Sequence, residues 1–361
     1  MTNMRLLLLS KYGRLGASSR IRTLQYLPDF QRLDLQVSVH SLISDEALAA
    51  RYQRGRYRVL GLLRAYSERV RALLGRHKFN VVWIEKESLP WWPFWIERVL
   101  LRGVPYVLDY DDADFHNYDL HRWAWVRSVY GRRLDRLMTG ATLVVAGNEY
   151  LAQRARAAGA PWVEIVPTVI DLVRYPFDPQ QTTQKSIDTQ RVVWIGSPCT
   201  IHYIQSIRGA LAQLAEKYPF VLRVIGGGAI EIPGVQIEVV HWSEATEVQS
   251  IRDCDIGIMP LLNTPWEKGK CGYKLIQYMA CGLPTVASNV GVNAEIVQDG
   301  LTGYLASSPD DWVSSLASLL ADGELRRTMG EAGRLLVEKK YCVQQTGPRL
   351  ANLLSSCAEP I

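Results

Sequence analysis

A chain of 361 residues exceeds what one ordinary hydrophobic core serves, and predicts two domains. With 48% apolar and 21% charged residues, and no apolar run of bilayer-spanning length, the composition is that of a water-soluble globular protein and excludes a disordered or membrane-spanning chain. The net charge of +5 divides unevenly, with 26 Lys and Arg against 17 Asp and Glu through Tyr175 and 15 against 19 beyond it, so the front half suits an anionic partner.

That partner is not nucleic acid, because no basic tail or binding motif accompanies the charge. The opening Met4-Arg-Leu-Leu-Leu-Leu-Ser10 has four leucines before a polar turn, a first strand and not a signal peptide. Lys11-Tyr-Gly-Arg-Leu-Gly-Ala-Ser-Ser-Arg-Ile-Arg22 then runs through Gly13 and Gly16 into a helix. A strand, a glycine turn and a helix start suit an anion, with Lys11, Arg14, Arg20 and Arg22 adding charge; a tight turn with solvated arginines is the other reading.

Residues 51–78 carry Val59, Leu62, Leu63, Tyr66, Val70, Leu73 and Leu74 on one helical face and arginines on the other. This predicts a surface helix with its apolar stripe on the core, or a basic helix against anionic lipid. Val81 to Ile84 is a strand, and the run Trp91-Trp-Pro-Phe-Trp95 predicts partial core burial or contact with a membrane interface. Val104 to Asp112 is strand four; Asp109, Asp111, Asp112 and Asp114 at its end read as a metal site of the Asp-x-Asp kind, as acceptors of a substrate proton, or as caps of the next helix. Ala141 to Ala146 is strand five, and Val163 to Asp171 is strand six with its exit. Residues 172–190 lose periodicity and become Pro/Gln/Thr-rich, which predicts a linker.

A second series of strands begins at Arg191-Val-Val-Trp-Ile-Gly196-Ser197 and continues with Phe220 to Ile225, Val235 to Val240 and Asp255 to Pro260. Between Trp266 and Ile296, Gly269 and Gly272 interleave with Lys268, Lys270 and Lys274 and lead into a segment with Leu275, Ile276, Met279 and Ala280 at helical spacing. It ends at Gly282 with Pro284 beyond. Glycines, unpaired N–H groups at a helix start and lysines make a cradle for a diphosphate. The tail from Asp310 is helical, divided near Asp322 and Tyr341. Six cysteines without paired spacing predict reduced thiols and a cytoplasmic protein with no metal.

Met279-Ala-Cys-Gly-Leu-Pro-Thr-Val-Ala-Ser288 resembles the donor-binding segment of family 4 (group 1) retaining glycosyltransferases, in which a Glu-x7-Glu motif precedes this run. The two glutamates do not match: Gln277 stands at the second and Gly269 at the first, with Glu267 two residues upstream able to fill in. The resemblance implies the GT-B architecture, two Rossmann-like open parallel-sheet domains facing a central cleft. Residues 1–171 would form an acceptor-binding domain, with a C-terminal helix of about 342–361 packed back on it. The linker 172–190 would lead to a nucleotide-sugar-binding domain, 191–341. By the same resemblance, Gly196 and Ser197 form a phosphate-facing turn; Val240, His241 and Trp242 flank the base; Lys268, Lys270, Gly272, Tyr273, Lys274 and Gln277 hold the donor. The loop of Lys11, Gly13, Gly16, Arg20 and Arg22 faces the acceptor. Aligned on Pro105, Asp111 and Asp112 take the places of a His-Asp pair and, with Glu267, are the catalytic candidates. The metal reading of the aspartates is set aside, since that motif belongs to the other glycosyltransferase architecture.

The implied function is a hexosyltransferase-type glycosyltransferase, retaining and metal-independent, with no cofactor. It would move a sugar from a nucleotide diphosphate sugar to a glycan or lipid-linked acceptor in bacterial surface polysaccharide synthesis, in the cytoplasm or at the inner face of an anionic membrane. A nucleotide-sugar-binding scaffold without chemistry and a GT-B sugar-nucleotide epimerase are the alternatives.

Overall fold

The structure, a computed structural model, describes residues 4–178 and 189–358. The expected linker therefore lies largely outside the described residues. Among those described, twelve strands form two six-stranded parallel sheets, each built by the strand–helix alternation read from the sequence. The chain divides into two units: residues through Val169 with 269–271 and the segment from Val343 onward, and residues 170–268 with 272–342.

In the first unit β1 (Met4–Tyr12), β2 (Leu35–Ile43), β3 (Val81–Glu85), β4 (Tyr106–Tyr110), β5 (Leu143–Ala146) and β6 (Val163–Ile165) lie in the order β2-β1-β3-β4-β5-β6. Leu6 pairs with Val81 and Ile84 with Leu108, which sets Leu7, Leu9, Val82, Ile84, Leu108 and Val144 into one core. Strand order reverses at β1, so the carboxyl ends of β1 and β3 form the switch point where open α/β sheets bind ligands.

The stretch 51–78 is not one helix. Gly55 adopts a left-handed conformation, φ 73°, between the helices Asp45–Arg54 and Val59–Leu74, and only Leu73 of the expected apolar stripe is fully buried. Val59, Leu63 and Leu74 face solvent, while Arg69 is buried and donates to the carbonyls of Ser10 and His40. Burial pulls the Arg69 pKa down to about 9 against the opposing pull of Glu85.

In the second unit β7 (Gln190–Ile195), β8 (Phe220–Ile225), β9 (Gln236–Val240), β10 (Ile256–Met259), β11 (Thr285–Ser288) and β12 (Gly303–Ala306) lie in the order β12-β11-β10-β7-β8-β9. Val193, Ile195, Met259 and Ala287 pack on the helix Tyr273–Ala280, and Val192, Trp194, Leu222 and Ile258 on the opposite layer. Burial on both faces is why these strands read as unbroken apolar runs. Here the order reverses between β7 and β10. The helix Tyr273–Ala280 stops where Gly282 turns left-handed, φ 72°.

Candidate functional site

Two clusters lie at the two switch points, one in each unit. In the first unit Lys86 follows β3 and takes a left-handed backbone, φ 63°, unusual for a residue with a Cβ. Its ammonium is buried and lies 3.0 Å from Asp114, 3.1 Å from Asp111 and 3.7 Å from Asp112. Burial alone would lower the lysine's pKa, yet three carboxylates hold it well above the usual value. The four charged groups come from the ends of adjacent strands, β3 and β4, beside β1.

The carboxylates differ among themselves. Asp111 accepts a 2.5 Å hydrogen bond from the Ser18 hydroxyl; burial would raise its pKa, but Lys86 and Ser18 together hold it below the usual range. Asp112 is more open, and its pKa is raised by burial against the pull of Lys270 and Lys86, with Asp111 and Asp114 adding to the rise. Lys270 stands 3.7 Å from Asp112, and Lys11 stands 3.7 Å from Asp114. The helix-capping reading of these aspartates therefore gives way to an electrostatic one. Lys86 carried no signal in the sequence beyond its place in the buried run Glu85-Lys-Glu.

The glycine loop is tighter than an open anion cradle. A Cβ at Gly13 would lie 2.5 Å from the Asp45 carboxylate, and one at Gly16 2.3 Å from the Tyr12 side chain. Glu85, fully buried, accepts from the Lys11 backbone N–H at 2.9 Å and the Ser19 hydroxyl at 2.6 Å, closing β1 onto the helix Ala17–Arg22. Two expectations are corrected. Arg20 and Arg22 are not solvated: Arg20 donates to the Arg14 carbonyl, and Arg22 pairs with buried Asp109 and donates to the Val166 carbonyl at 2.7 Å. Arg22 neutralises a carboxylate beneath the loop, so its guanidinium is not presented to an acceptor.

In the second unit Gly196 follows β7 and Gly226-Gly227 follow β8. A Cβ at Gly196 would meet the Trp194 indole at 2.4 Å, and one at Gly227 at 2.5 Å. Lys274, in the first turn of Tyr273–Ala280, places its ammonium 4.3 Å from the centroid of the same indole. Gly272 caps that helix at φ 65°, pressed on Ile296. Gly196, Gly227 and Lys274 thus pack on the buried Trp194 indole, and the charge offered to an anionic group is that of Lys274 and the start of its helix. Ser197 and Lys268 are exposed.

Glu267 is buried and accepts from the Tyr203 hydroxyl at 2.7 Å and from Thr264. Gln277 is buried too, its amide donating to the Tyr175 hydroxyl at 2.9 Å. Trp242 donates to buried Glu247 at 2.8 Å, with Val240 half-buried and His241 exposed beside it. Of the lysines in this stretch, Lys268 and Lys274 belong to the second unit, whereas Lys270 packs with the first.

Gly269, also packed with the first unit, has no room for a side chain. A Cβ there would stand 2.5 Å from that of Ala113 and 2.7 Å from its nitrogen, and the Gly269 carbonyl accepts from Asn148 at 3.1 Å. A glutamate is excluded at this position. Gly269→Ala is expected to destabilise the protein by about 1–3 kcal/mol through overpacking, read as a lower urea midpoint.

The sequence profile of the glycosyl transferase 4-like domain matches residues 4–168, and that of glycosyl transferases group 1 matches residues 189–322. The chain belongs to the group 1 glycosyltransferases. Among curated members, the N-acetyl-alpha-D-glucosaminyl L-malate synthase of Bacillus anthracis is 39% identical over 77 residues, 21% of this chain and 20% of that protein. The matches to the first such relatives span less than a third of their length. A GDP-mannose-dependent phosphatidylinositol monomannoside mannosyltransferase of Mycolicibacterium smegmatis is 24% identical over 81% of both chains. Sucrose-phosphate synthase of Thermosynechococcus elongatus superimposes with a TM-score of 0.73 over 98% of both chains at 14% identity. Anabaena HepE in complex with UDP gives 0.65 over 98% of this chain and 100% of its own at 16% identity. These neighbours share the family's GT-B fold, the fold class expected from the donor segment.

Proposed function

We propose that this group 1 glycosyltransferase transfers a hexose from a nucleotide diphosphate sugar to a glycan or lipid-linked acceptor. The observation that carries this reading is the convergence of Gly196, Gly227 and Lys274 around Trp194 at the switch point of the second sheet, inside the segment matched by the group 1 profile. Solved neighbours bound to UDP or UDP-glucose, Anabaena HepE among them, support a nucleotide-sugar donor. Lys274 and the N–H groups at the start of Tyr273–Ala280 would take the charge that develops on the departing diphosphate. In the first unit, Asp112 would accept or orient the acceptor hydroxyl's proton while Lys86 and Ser18 hold Asp111 ionised. Retention of configuration follows from the family; the role in surface polysaccharide synthesis on the cytoplasmic side is part of the proposal. The domain roles proposed remain an acceptor domain over 1–171 and a donor domain over 191–341, joined by 172–190.

The aspartates of the first cluster are already balanced by ammonium groups, Lys86 at the centre with Lys11 and Lys270 beside it, which supports metal-independent transfer. Activity is expected to survive EDTA unchanged. Loss with rescue by magnesium or manganese would overturn that reading. The scaffold alternative rests on Gly269 and on Glu267 being tied to two hydroxyls. Transfer of labelled sugar by the purified full chain excludes it; binding without transfer supports it.

A further inference from the structure

We propose that the tip joining the helices Asp45–Arg54 and Val59–Leu74 docks the first unit onto an anionic bilayer surface. Residues 51–64 hold five arginines and no acidic residue. All five, Arg51, Arg54, Arg56, Arg58 and Arg64, are exposed. Among them stand large apolar side chains that the core does not use: Leu60 is 82% exposed, Val59 72% and Leu63 63%. Single exposed apolar residues need no explanation, but three within five residues, ringed by five arginines of which Arg64 pairs with Glu68 at 2.8 Å, have the composition of an interfacial element. The apolar side chains enter the boundary between headgroups and acyl chains, and the guanidinium groups meet lipid phosphates.

The underside of the tip is fixed. Tyr57, Leu62 and Ala65 pack with Tyr12 and Leu15 over Leu42, Ile43 and Leu48, so the tip rests on the glycine loop and the end of β2. Tyr66 stacks on Trp92 at 5.7 Å, which links the tip's helix to the turn after β3. The exposed Trp95, and Trp123 stacked on Trp125 at 6.0 Å, also follow β3 and β4 and so lie at the carboxyl edge of the same parallel sheet. Tryptophan at such an edge is the side chain that settles at headgroup depth. One edge of the first unit thus carries the basic tip, the exposed tryptophans and the Lys86 cluster. Among the described residues no helix is long and apolar enough to cross a membrane. The inference deepens the acceptor reading above and rests on it only for the lipid-linked nature of the acceptor.

The test is co-sedimentation of the full chain with phosphatidylcholine vesicles, with and without about 30 mol% phosphatidylglycerol, at low and high salt. Binding is expected to the anionic vesicles only, and to fall as salt rises. Leu60→Asp with Leu63→Asp, and Arg54→Glu with Arg56→Glu, should each weaken it about tenfold or more. The same charge change elsewhere, Lys339→Glu with Lys340→Glu, should leave it nearly unchanged. Equal binding to neutral vesicles, no vesicle binding, or tip variants that bind like the parent would overturn the proposal. So would tip variants that turn a light-scattering dimer into a monomer without vesicle binding, because the occupant would then be a second copy. Nucleotide binding measured on the same samples separates the two readings: vesicle binding without nucleotide binding leaves the docking surface standing and removes the donor site.

Discussion

Lys86→Met should destabilise the protein by about 3–5 kcal/mol at neutral pH, since it removes the central ammonium shared by Asp111, Asp112 and Asp114 and leaves only Lys11 and Lys270, each 3.7 Å from one of them, at the rim of the cluster. The lost ammonium is not replaced by solvent, as Lys86 and Asp114 are almost fully buried. The pH dependence carries a definite sign. Without Lys86 the repulsion within the cluster favours protonation in the folded state, so the deficit is full at neutral pH and shrinks as falling pH adds protons to the cluster. In the parent, Asp111 runs the other way: its depressed pKa gives stability that is present above the ordinary carboxylate pKa and is lost as pH falls through the folded value. Urea unfolding of both proteins between pH 4 and about 8 measures this. A deficit that stays constant across the range would show that Lys86 acts by packing and not by charge.

Asp112→Asn should lower sugar transfer by about 10²- to 10⁴-fold, equivalent to about 3–5 kcal/mol of barrier, with nucleotide affinity unchanged. Asp112 is preferred over Asp111 as the proton acceptor because of its surroundings. Asp111 is clamped by Ser18 and Lys86 and held below the usual pKa, whereas Asp112 is more open and its pKa is raised. A carboxylate with a raised pKa is a better base. Transfer by the parent should accordingly rise with pH through the pKa of Asp112 and then level off, and the asparagine variant should lack that limb. A variant that keeps parental transfer would assign Asp112 to the structural cluster alone.

The fold was legible because its signals are local. Apolar runs bounded by Gly or Pro marked most strands, and the helical spacing of Leu275, Ile276, Met279 and Ala280 with the run from Thr285 marked the helix and strand of the donor segment. β6 takes three residues, Val163–Ile165, of the nine read as a strand with its exit, and the helix expected across 51–78 is broken by Gly55. What the sequence hid is how charge is neutralised inside the first unit. Residues 81–90 are buried throughout, Glu85, Lys86 and Glu87 included, and their partners come from distant segments: Ser19 to Glu85, Asp111 and Asp114 to Lys86, Arg133 to Glu87. A pattern of exposed and buried positions cannot show such pairings, so Arg22 read as a surface group and Lys86 as nothing in particular. The vacancy at Gly269 was visible as a missing glutamate, but its cause, the backbone of Ala113, required the structure.

Isothermal titration calorimetry of the full chain with UDP, GDP, ADP and TDP bears most directly on the proposal that this chain works on a nucleotide sugar through its second unit. One of the four is expected to bind with one-to-one stoichiometry. Lys274→Ala is expected to weaken that binding by about 1.5–3 kcal/mol, the loss of one charge-assisted contact. No heat from any of the four, or a Lys274→Ala variant that binds as tightly as the parent, would contradict a diphosphate site around Trp194.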